Sequence, residues 1–332
     1  MTHALRAAIA GTGISLPDRE LTNSALEERV DTTDEWIVSR TGIRSRRVAA
    51  AGETTASLAV AAGAAALDDA DLAPGDIDLL VVATATPEQP IPHTGAFVGH
   101  ELGLSCGSFD VAAGCAGFVT ALIAGSGFVA SGGAQRVLVV GSETLSRVVD
   151  PLDRSTCILF GDGAGAAVLE RSPADGPGVL TWDLGCDGSA TGLLQIPAGG
   201  SRKPTTAGTV GRGEHVIQME GQGVFRRAVR AVVRSAQLTL ERAGVQASDV
   251  AWFVPHQANI RIIDAAAQRL GIGDDRTVVN IDRYGNTSAA SIPVALHEHA
   301  ACDGFRAGDL VLCAGFGAGM TWASALVRWG RP

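Results

Sequence analysis

The chain repeats itself. Residues 66–86 read ALDDADLAPGDIDLLVVATAT and residues 239–259 read TLERAGVQASDVAWFVPHQAN, an offset of 173. Leu67, Ala70, Asp76 and Val81 fall on Leu240, Ala243, Asp249 and Val254. Each segment reads as a helix end, a short polar link and an apolar strand. At the same offset the run VLVV at 137–140 falls on LVLC at 310–313, and Cys115 falls on Ser288, each opening a helix of small residues. Between these the register slips: Leu102-Gly-Leu104 pairs with Leu270-Gly-Ile272 at an offset of 168. Two like units of alternating strands and helices dictate α/β layers. They also imply packing about a pseudo-twofold axis. That axis sets the helices beginning near Cys115 and Ser288 side by side, with the strand ends at 81–84 and 254–257 close to them. Cys115, His256 and Asn286 are therefore expected to converge. The halves divide as residues 1–180, carrying the cysteine, and 181–332, carrying the histidine and asparagine.

Composition narrows the class. Hydrophobic residues make up 46% and charged residues 18% of the chain, which excludes a disordered polymer. With 42 Gly and only 5% aromatics, the core must be built from small side chains with backbones close together. The net charge of −9 argues against general nucleic-acid binding. Lys203 is the only lysine among 26 basic residues, so the rest are arginines that could bind phosphate locally. The uncharged stretch 111–135 is long enough for a membrane span. Its Gly, Ala and Ser content and Gly132-Gly133 favour a buried central helix instead, so no membrane insertion is expected. The six cysteines contain no CxxC pair, and residues 1–10 lack an apolar run behind a basic start. A cytoplasmic chain with reduced thiols is the expectation.

Three residues carry chemistry. Cys115 sits in DVAAGCAGF between a strand and the uncharged helix, where the positive end of the helix dipole favours a thiolate. His256 sits in VPHQAN at a strand end. Asn286, in GNTSAAS, is either a helix cap or a polar group of the site. His3, His93, His100, His215, His297 and His299 read as ordinary polar residues, and the HEH pair lacks the i, i+4 spacing of a metal site. Papain-like proteases also order Cys, His and Asn with a similar interval, but Cys115 lacks their local signature. Gly11-Thr-Gly13 and Gly161-Asp-Gly-Ala-Gly165 have the wrong spacing for nucleotide loops and read as close backbone approaches. Gly315-Phe-Gly-Ala-Gly319 follows a strand and could expose the amides of an oxyanion hole.

Seven segments together resemble the β-ketoacyl-acyl carrier protein synthase III family of the thiolase superfamily. They are DTTDEWIVSRTGIRSRR (31–47), DVAAGCAGF (110–118), Asp153-Arg154, FGDGAGAAVL (160–169), VPHQANIRII (254–263), GNTSAAS (285–291) and FGAGMTWASALVRW (316–329). They run nearly end to end. The resemblance implies a thiolase-like five-layer αβαβα fold from two duplicated halves. It implies that Cys115 takes an acyl group from acyl-CoA, that the amides of Cys115 and Ala318 form the oxyanion hole, and that His256 and Asn286 donate to the thioester carbonyl of malonyl-acyl carrier protein during decarboxylation. The product is a 3-oxoacyl chain that starts fatty acid or polyketide synthesis, with no metal or redox cofactor. A same-fold acyltransferase using an alcohol or amine acceptor is the alternative.

The resemblance also assigns binding residues. Trp36 and Arg154 match a pair that sandwiches the CoA adenine, and Thr32, Arg40, Met219, Phe225 and Asn259 match other CoA or pantetheine contacts. Ile91 stands where the family often has a phenylalanine donated by a homodimer partner, which implies a primer longer or more branched than acetyl. Leu145, Leu193, Leu194 and Ile196 are expected in the same acyl pocket. Arg226, Arg261 and Arg269 are expected to dock the acidic carrier protein.

Overall fold

The computed structural model describes residues 5–332. His3 and the first four residues of the N-terminal reading lie outside the described residues. The first sheet has strands β1 (Arg6–Ser15), β2 (Leu79–Ala83), β3 (Gly107–Val111), β4 (Arg136–Thr144) and β5 (Asp162–Ser172), in the order β1-β5-β4-β2-β3. The second has β6 (Gly178–Cys186), β7 (Trp252–Pro255), β8 (Leu310–Gly317) and β9 (Thr321–Arg328), in the order β7-β8-β9-β6. These are one topology used twice. β1 and β5 pair antiparallel as β6 and β9 do, and β2 and β4 pair parallel as β7 and β8 do. The second counterpart of β3 has shrunk to a single parallel bridge between Phe253 and Thr277.

The main helices are α1 (Asp34–Thr41), α2 (Thr55–Asp69), α3 (Thr94–Leu102), α4 (Gly117–Ala130), α5 (Gly221–Ala243), α6 (Ile260–Leu270) and α7 (Ser291–Ala301). Small and branched residues of α4 and α7, among them Leu122, Ile123, Ile292 and Leu296, fill the space between the two sheets. Leu58, Ala62 and Leu67 of α2 and Val98 of α3 cover the outer face of the first sheet. α5 and α6 cover the outer face of the second through Val229, Val232, Ile262 and Ala266. The result is the αβαβα sandwich. The uncharged stretch supplies α4, only 14 residues long and buried in the central layer. No helix among the described residues is long and apolar enough to cross a membrane.

The duplication reaches the turns. Gly103 and Gly271 end α3 and α6 in left-handed conformations, at φ +71° and +74°, which is what the 168-residue offset aligns. Asp76 and Asp249 accept from the amides of Ala73 and Gln246 at 2.9 Å each. One correction follows from the register. Leu79 pairs with Val137 and Trp252 with Val311, so the offset is 173 from Leu79 to Trp252 but 174 from Val137 to Val311. A one-residue slip would exchange inward and outward faces, and the buried faces bear this out: Val137 and Val139 face the central layer with Val311 and Cys313. By the same count α4 at Gly117 matches α7 at Ser291. The counterpart of Ser288 is therefore Gly114, not Cys115, and both have positive φ, +47° and +52°.

The glycines do what close packing requires. A Cβ on Gly13 would sit 2.4 Å from the amide nitrogen of Ala66 in α2, and one on Gly165 2.8 Å from the amide nitrogen of Val294 in α7. Neither segment is a nucleotide loop.

Candidate active site

Cys115 lies on a 3₁₀ turn, Gly114–Ala116, that leads into α4. The αL conformation of Gly114 makes this sharp turn, and a Cβ there would stand 3.0 Å from the amide nitrogen of Ala318. Gly317 lets the other wall approach: its Cβ would be 2.5 Å from the amide nitrogen of Cys115. The backbones of Cys115 and Ala318 are thus brought side by side, as an oxyanion site needs. Two cavities meet at Cys115. One, of about 130 Å³, is lined by Cys115, His256 and Asn286 together with Met219, Phe225, Asn259 and Phe316. The other, of about 240 Å³, is lined by Cys115, Leu145, Leu194, Ile196, Ser288 and Ala318 among others. The three residues expected to converge do so.

His256 follows β7 and is buried. Its Nδ1 is 2.6 Å from Ser291 Oγ, and its Nε2 is buried with no partner. The ring meets Phe316 edge-on at 5.5 Å. Burial without a carboxylate partner pushes its pKa down to about 3, so the imidazole is neutral. A Ser291 hydroxyl that donates to Nδ1 leaves the ring proton on Nε2, where it can be donated into the cavity. Ser291 was not singled out in the sequence, although it closes the GNTSAAS segment.

Asn286 lines the site and is not the helix cap, since Thr287 and Ala290 stand at the caps of the 3₁₀ turn Ser288–Ala290 and of α7. Its Oδ1 accepts from the amide of Ser288 at 2.8 Å, holding the turn before α7. Its Nδ2 is then the group that can donate into the cavity it lines. Two neutral donors and no carboxylate therefore face the same space.

The Cys115 expectation needs correcting. Burial pushes the thiol up to about 12, aided by the nearby Glu143 carboxylate and opposed by the Ser288 hydroxyl. A helix N-terminus contributes at most about 2 kcal/mol, whereas three pKa units correspond to about 4 kcal/mol. Desolvation wins and the resting group is a thiol.

The remaining predicted residues fall into two groups. Trp36 on α1 carries the Arg154 guanidinium over its ring at 5.0 Å, and Arg154 donates to the Asp31 carbonyl at 2.8 Å. Thr32 Oγ1 beside them is buried without a partner. Asn259 caps α6 through the amide of Arg261 and donates to the Arg40 carbonyl at 3.1 Å, tying α1 to the cavity wall. Phe225 lies under Arg261 at 5.7 Å. A track of these residues thus leads from Trp36 to Cys115. Arg226, Arg261 and Arg269 are all exposed on α5 and α6. Arg269 is eight residues beyond Arg261, about 12 Å along the helix, and so stands away from the mouth.

One acyl-pocket expectation is altered. Leu193 packs toward α5, where a Cβ on Gly223 would meet its methyl group at 3.0 Å, and belongs to the outer core. Leu193 ends the 3₁₀ turn Gly188–Leu193, whereas Leu194 begins the short strand Leu194–Gln195 and alone of the two lines the cavity. Ile91 does not line the cavity of its own chain; it is 84% exposed, on the loop ahead of α3.

The fold and the Cys, His and Asn set define a condensing enzyme of the thiolase type, a transferase. The chain belongs to the 3-oxoacyl-[acyl-carrier-protein] synthase III family. Residues 109–188 match the model of 3-oxoacyl-[acyl-carrier-protein] synthase III, and residues 240–329 match that of its C-terminal part. It is 46% identical to the β-ketoacyl-[acyl-carrier-protein] synthase III of Caldanaerobacter subterraneus over the full length of both chains. It is 48% identical to that of Desulfitobacterium hafniense over 97% of this chain and 98% of the other. Among solved structures, the Aquifex aeolicus 3-oxoacyl-[acyl-carrier-protein] synthase III superposes with a TM-score of 0.90 at 43% identity, covering 97% and 100% of the two chains. The priming β-ketosynthase of the R1128 polyketide pathway gives 0.91 at 40% identity, covering 98% and 97%.

Proposed function

We propose that this enzyme condenses an acyl-CoA primer with malonyl-acyl carrier protein, releasing carbon dioxide and a 3-oxoacyl-carrier protein that initiates fatty acid or polyketide synthesis. The observation that carries the reading is the placement of Cys115 between two cavities, with His256 and Asn286 on one of them as neutral donors. Cys115 attacks the thioester and keeps the acyl chain in the larger cavity. The amides of Cys115 and Ala318 hold the oxyanion. Malonyl-carrier protein then enters past Phe225 and Met219. His256 Nε2 and Asn286 Nδ2 stabilise the enolate formed as carbon dioxide leaves, and its carbon attacks the acyl-Cys115. The proposed chemistry draws on no metal or redox cofactor and takes place in the cytoplasm. Product analysis with both substrates tests it. Carbon dioxide and 3-oxoacyl product are expected, whereas acyl transfer without carbon dioxide would favour the alcohol- or amine-accepting alternative.

The primer reading rests on space. A cavity of about 240 Å³ holds roughly eight water volumes of about 30 Å³, more than a two-carbon acyl group fills. The outer edge of β3 pairs with no strand among the described residues, and His93 beyond Ile91 bonds Ser108 of β3 at 2.8 Å. A homodimer joined along that edge would set Ile91 beside the partner's cavity. Isobutyryl- or butyryl-CoA is expected to prime at least as well as acetyl-CoA; a large preference for acetyl-CoA would contradict this use of Ile91.

The Trp36–Arg154 pair is closed in this structure. An aromatic base stacked between them needs two spacings of about 3.5 Å, more than the 5.0 Å present. Binding of CoA must therefore part the pair, with an accompanying change in tryptophan fluorescence. Trp36→Ala is expected to raise KM for acyl-CoA about tenfold with little change in kcat, since stacking acts on ground and transition states alike. Steady-state kinetics against acyl-CoA concentration checks it.

A further inference from the structure

One buried acid lies outside the mechanism and beside the acyl cavity. Asp162 opens β5 and is 0% exposed. It forms no salt bridge among the described residues. Its two oxygens hold three neutral groups instead. Oδ1 accepts from the Ser146 amide at 2.8 Å. Oδ2 accepts from the Ala49 amide at 2.8 Å and from the Ser146 hydroxyl at 2.5 Å. Burial raises the proton affinity of the acid, and the arrangement survives its protonation. Oδ2–H then donates to Ser146 Oγ, while each oxygen still faces its amide.

The ladder of β4 and β5 does not ask for an acid here. Leu169 pairs with Val137 as Val327 pairs with Val311, and counting back along β5 and β9 from these pairs matches Asp162 with Met320 of the second half. Met320 is also buried, and its side chain is apolar. A buried carboxyl costs more than a buried thioether unless its hydrogen bonds are used. What differs between the halves is the chain that follows the neighbouring strand. After β8 it carries the Ala318 amide. After β4 it forms a 3₁₀ turn, Leu145–Arg147, and then Val148, and Asp162 holds this turn through Ser146.

That turn is a wall of the acyl cavity. Leu145 and Val148 line the cavity, with Ser146 pinned between them. Val148 passes the restraint on, because its carbonyl accepts from the amide of Ile217 at 2.7 Å. Ile217 lines the cavity too, and packs with Leu145 and Phe160 in one small apolar cluster. On the other side Arg147 donates to the carbonyls of Ala50 and Glu53, next to the Ala49 that Asp162 holds. The turn is thus clamped from both directions. We infer that Asp162 is a positioning residue for primer choice: by fixing Ser146 it holds the Leu145–Val148 wall in place and limits the length of acyl chain that Cys115 accepts. The inference rests on the proposed roles of Cys115 and of this cavity. Asp162 touches no reacting atom and acts through the turn.

Asp162→Asn tests it, since a carboxamide has one acceptor oxygen where two amides need one each. The wall is then released on one side. Acylation followed by intact mass gives the ratio of kcat/KM for decanoyl-CoA to that for isobutyryl-CoA. This ratio is expected to rise about tenfold, the order of discrimination that one methylene commands in an apolar pocket. Ser146→Ala keeps both amide bonds and removes only the hydroxyl, so it should shift the ratio the same way by about threefold. An acid that merely supported the fold would lower both rates together and leave the ratio alone. Alkyl methanethiosulfonates from methyl to decyl, read at Cys115 by peptide mass, give the same comparison without acyl-CoA. If wild type takes up alkyl groups according to size but is never acylated, the proposed function fails and the alkyl series still decides the role of Asp162. Folded Asp162→Asn protein with the wild-type ratio in both series would overturn the inference. If that variant does not fold, an unchanged ratio in Ser146→Ala overturns it.

Discussion

Replacing Cys115 by alanine is expected to abolish acyl-enzyme formation and to lower condensation at least about 10⁴-fold. The loss follows from position. Cys115 is the one nucleophilic sulfur placed on both cavities, with its own amide and that of Ala318 brought together by Gly114 and Gly317. The other buried thiols lie elsewhere: Cys157 packs beside Ile37 and Ile43, and Cys313 is within β8. No neighbour can take over. The fold should survive, since removing one buried sulfur costs about 1 kcal/mol and a few degrees in a domain of this size. Intact-mass measurement after exposure to acyl-CoA checks it. An unchanged mass shift in the Cys115→Ala protein would remove the nucleophile from the account.

The second large effect belongs to the donor pair. Asn286→Asp keeps the Oδ1 acceptor that holds the Ser288 amide and replaces the Nδ2 donor by a second acceptor. Decarboxylation of malonyl-carrier protein is expected to fall at least 10²-fold to 10³-fold, a typical loss for one oxyanion donor. Acylation of Cys115 should be little changed. His256→Ala should fall by a similar amount, and the double variant by less than the product of the two, because both donors serve one oxygen. The pH response carries the sign. His256 has its pKa lowered to about 3 by burial, so it is neutral above that value and decarboxylation should show no acid limb near 6.5. Carbon dioxide release measured from pH 5.5 to 8 checks this; an inflection at 6.5 would mean that an imidazolium forms and that the burial argument is wrong.

Much of this site was legible because the chain is written twice. Val81 and Val254 announce parallel strands whose ends must lie near the axis, and Cys115 and Asn286 open the two central turns. Once those are paired, convergence with His256 follows from topology. Other details needed coordinates. Simple counting could not show that the offset becomes 174, which moves the partner of Ser288 from Cys115 to Gly114. That Leu194 lines the cavity and Leu193 does not depends on where a 3₁₀ turn gives way to a two-residue strand. The state of Cys115 turned on a contest between a helix end and burial, and the extent of burial is not visible in DVAAGCAGF. Asp162 was missed for a related reason. In FGDGAGAAVL it reads as part of a close backbone approach, and its hold on Ala49 and Ser146 joins three distant segments. Ser291 was hidden in the same way, because only the fold sets it beside His256.

The central claim is that Cys115 holds the acyl group that is then extended. Single turnover tests it most directly. Protein acylated with isobutyryl-CoA and freed of excess CoA is mixed with malonyl-acyl carrier protein. The account expects one carbon dioxide and one 3-oxoacyl-carrier protein for each acyl group lost from Cys115, with the protein returning to its unmodified mass. Loss of the acyl group without carbon dioxide, or product formation while Cys115 stays acylated, would contradict it.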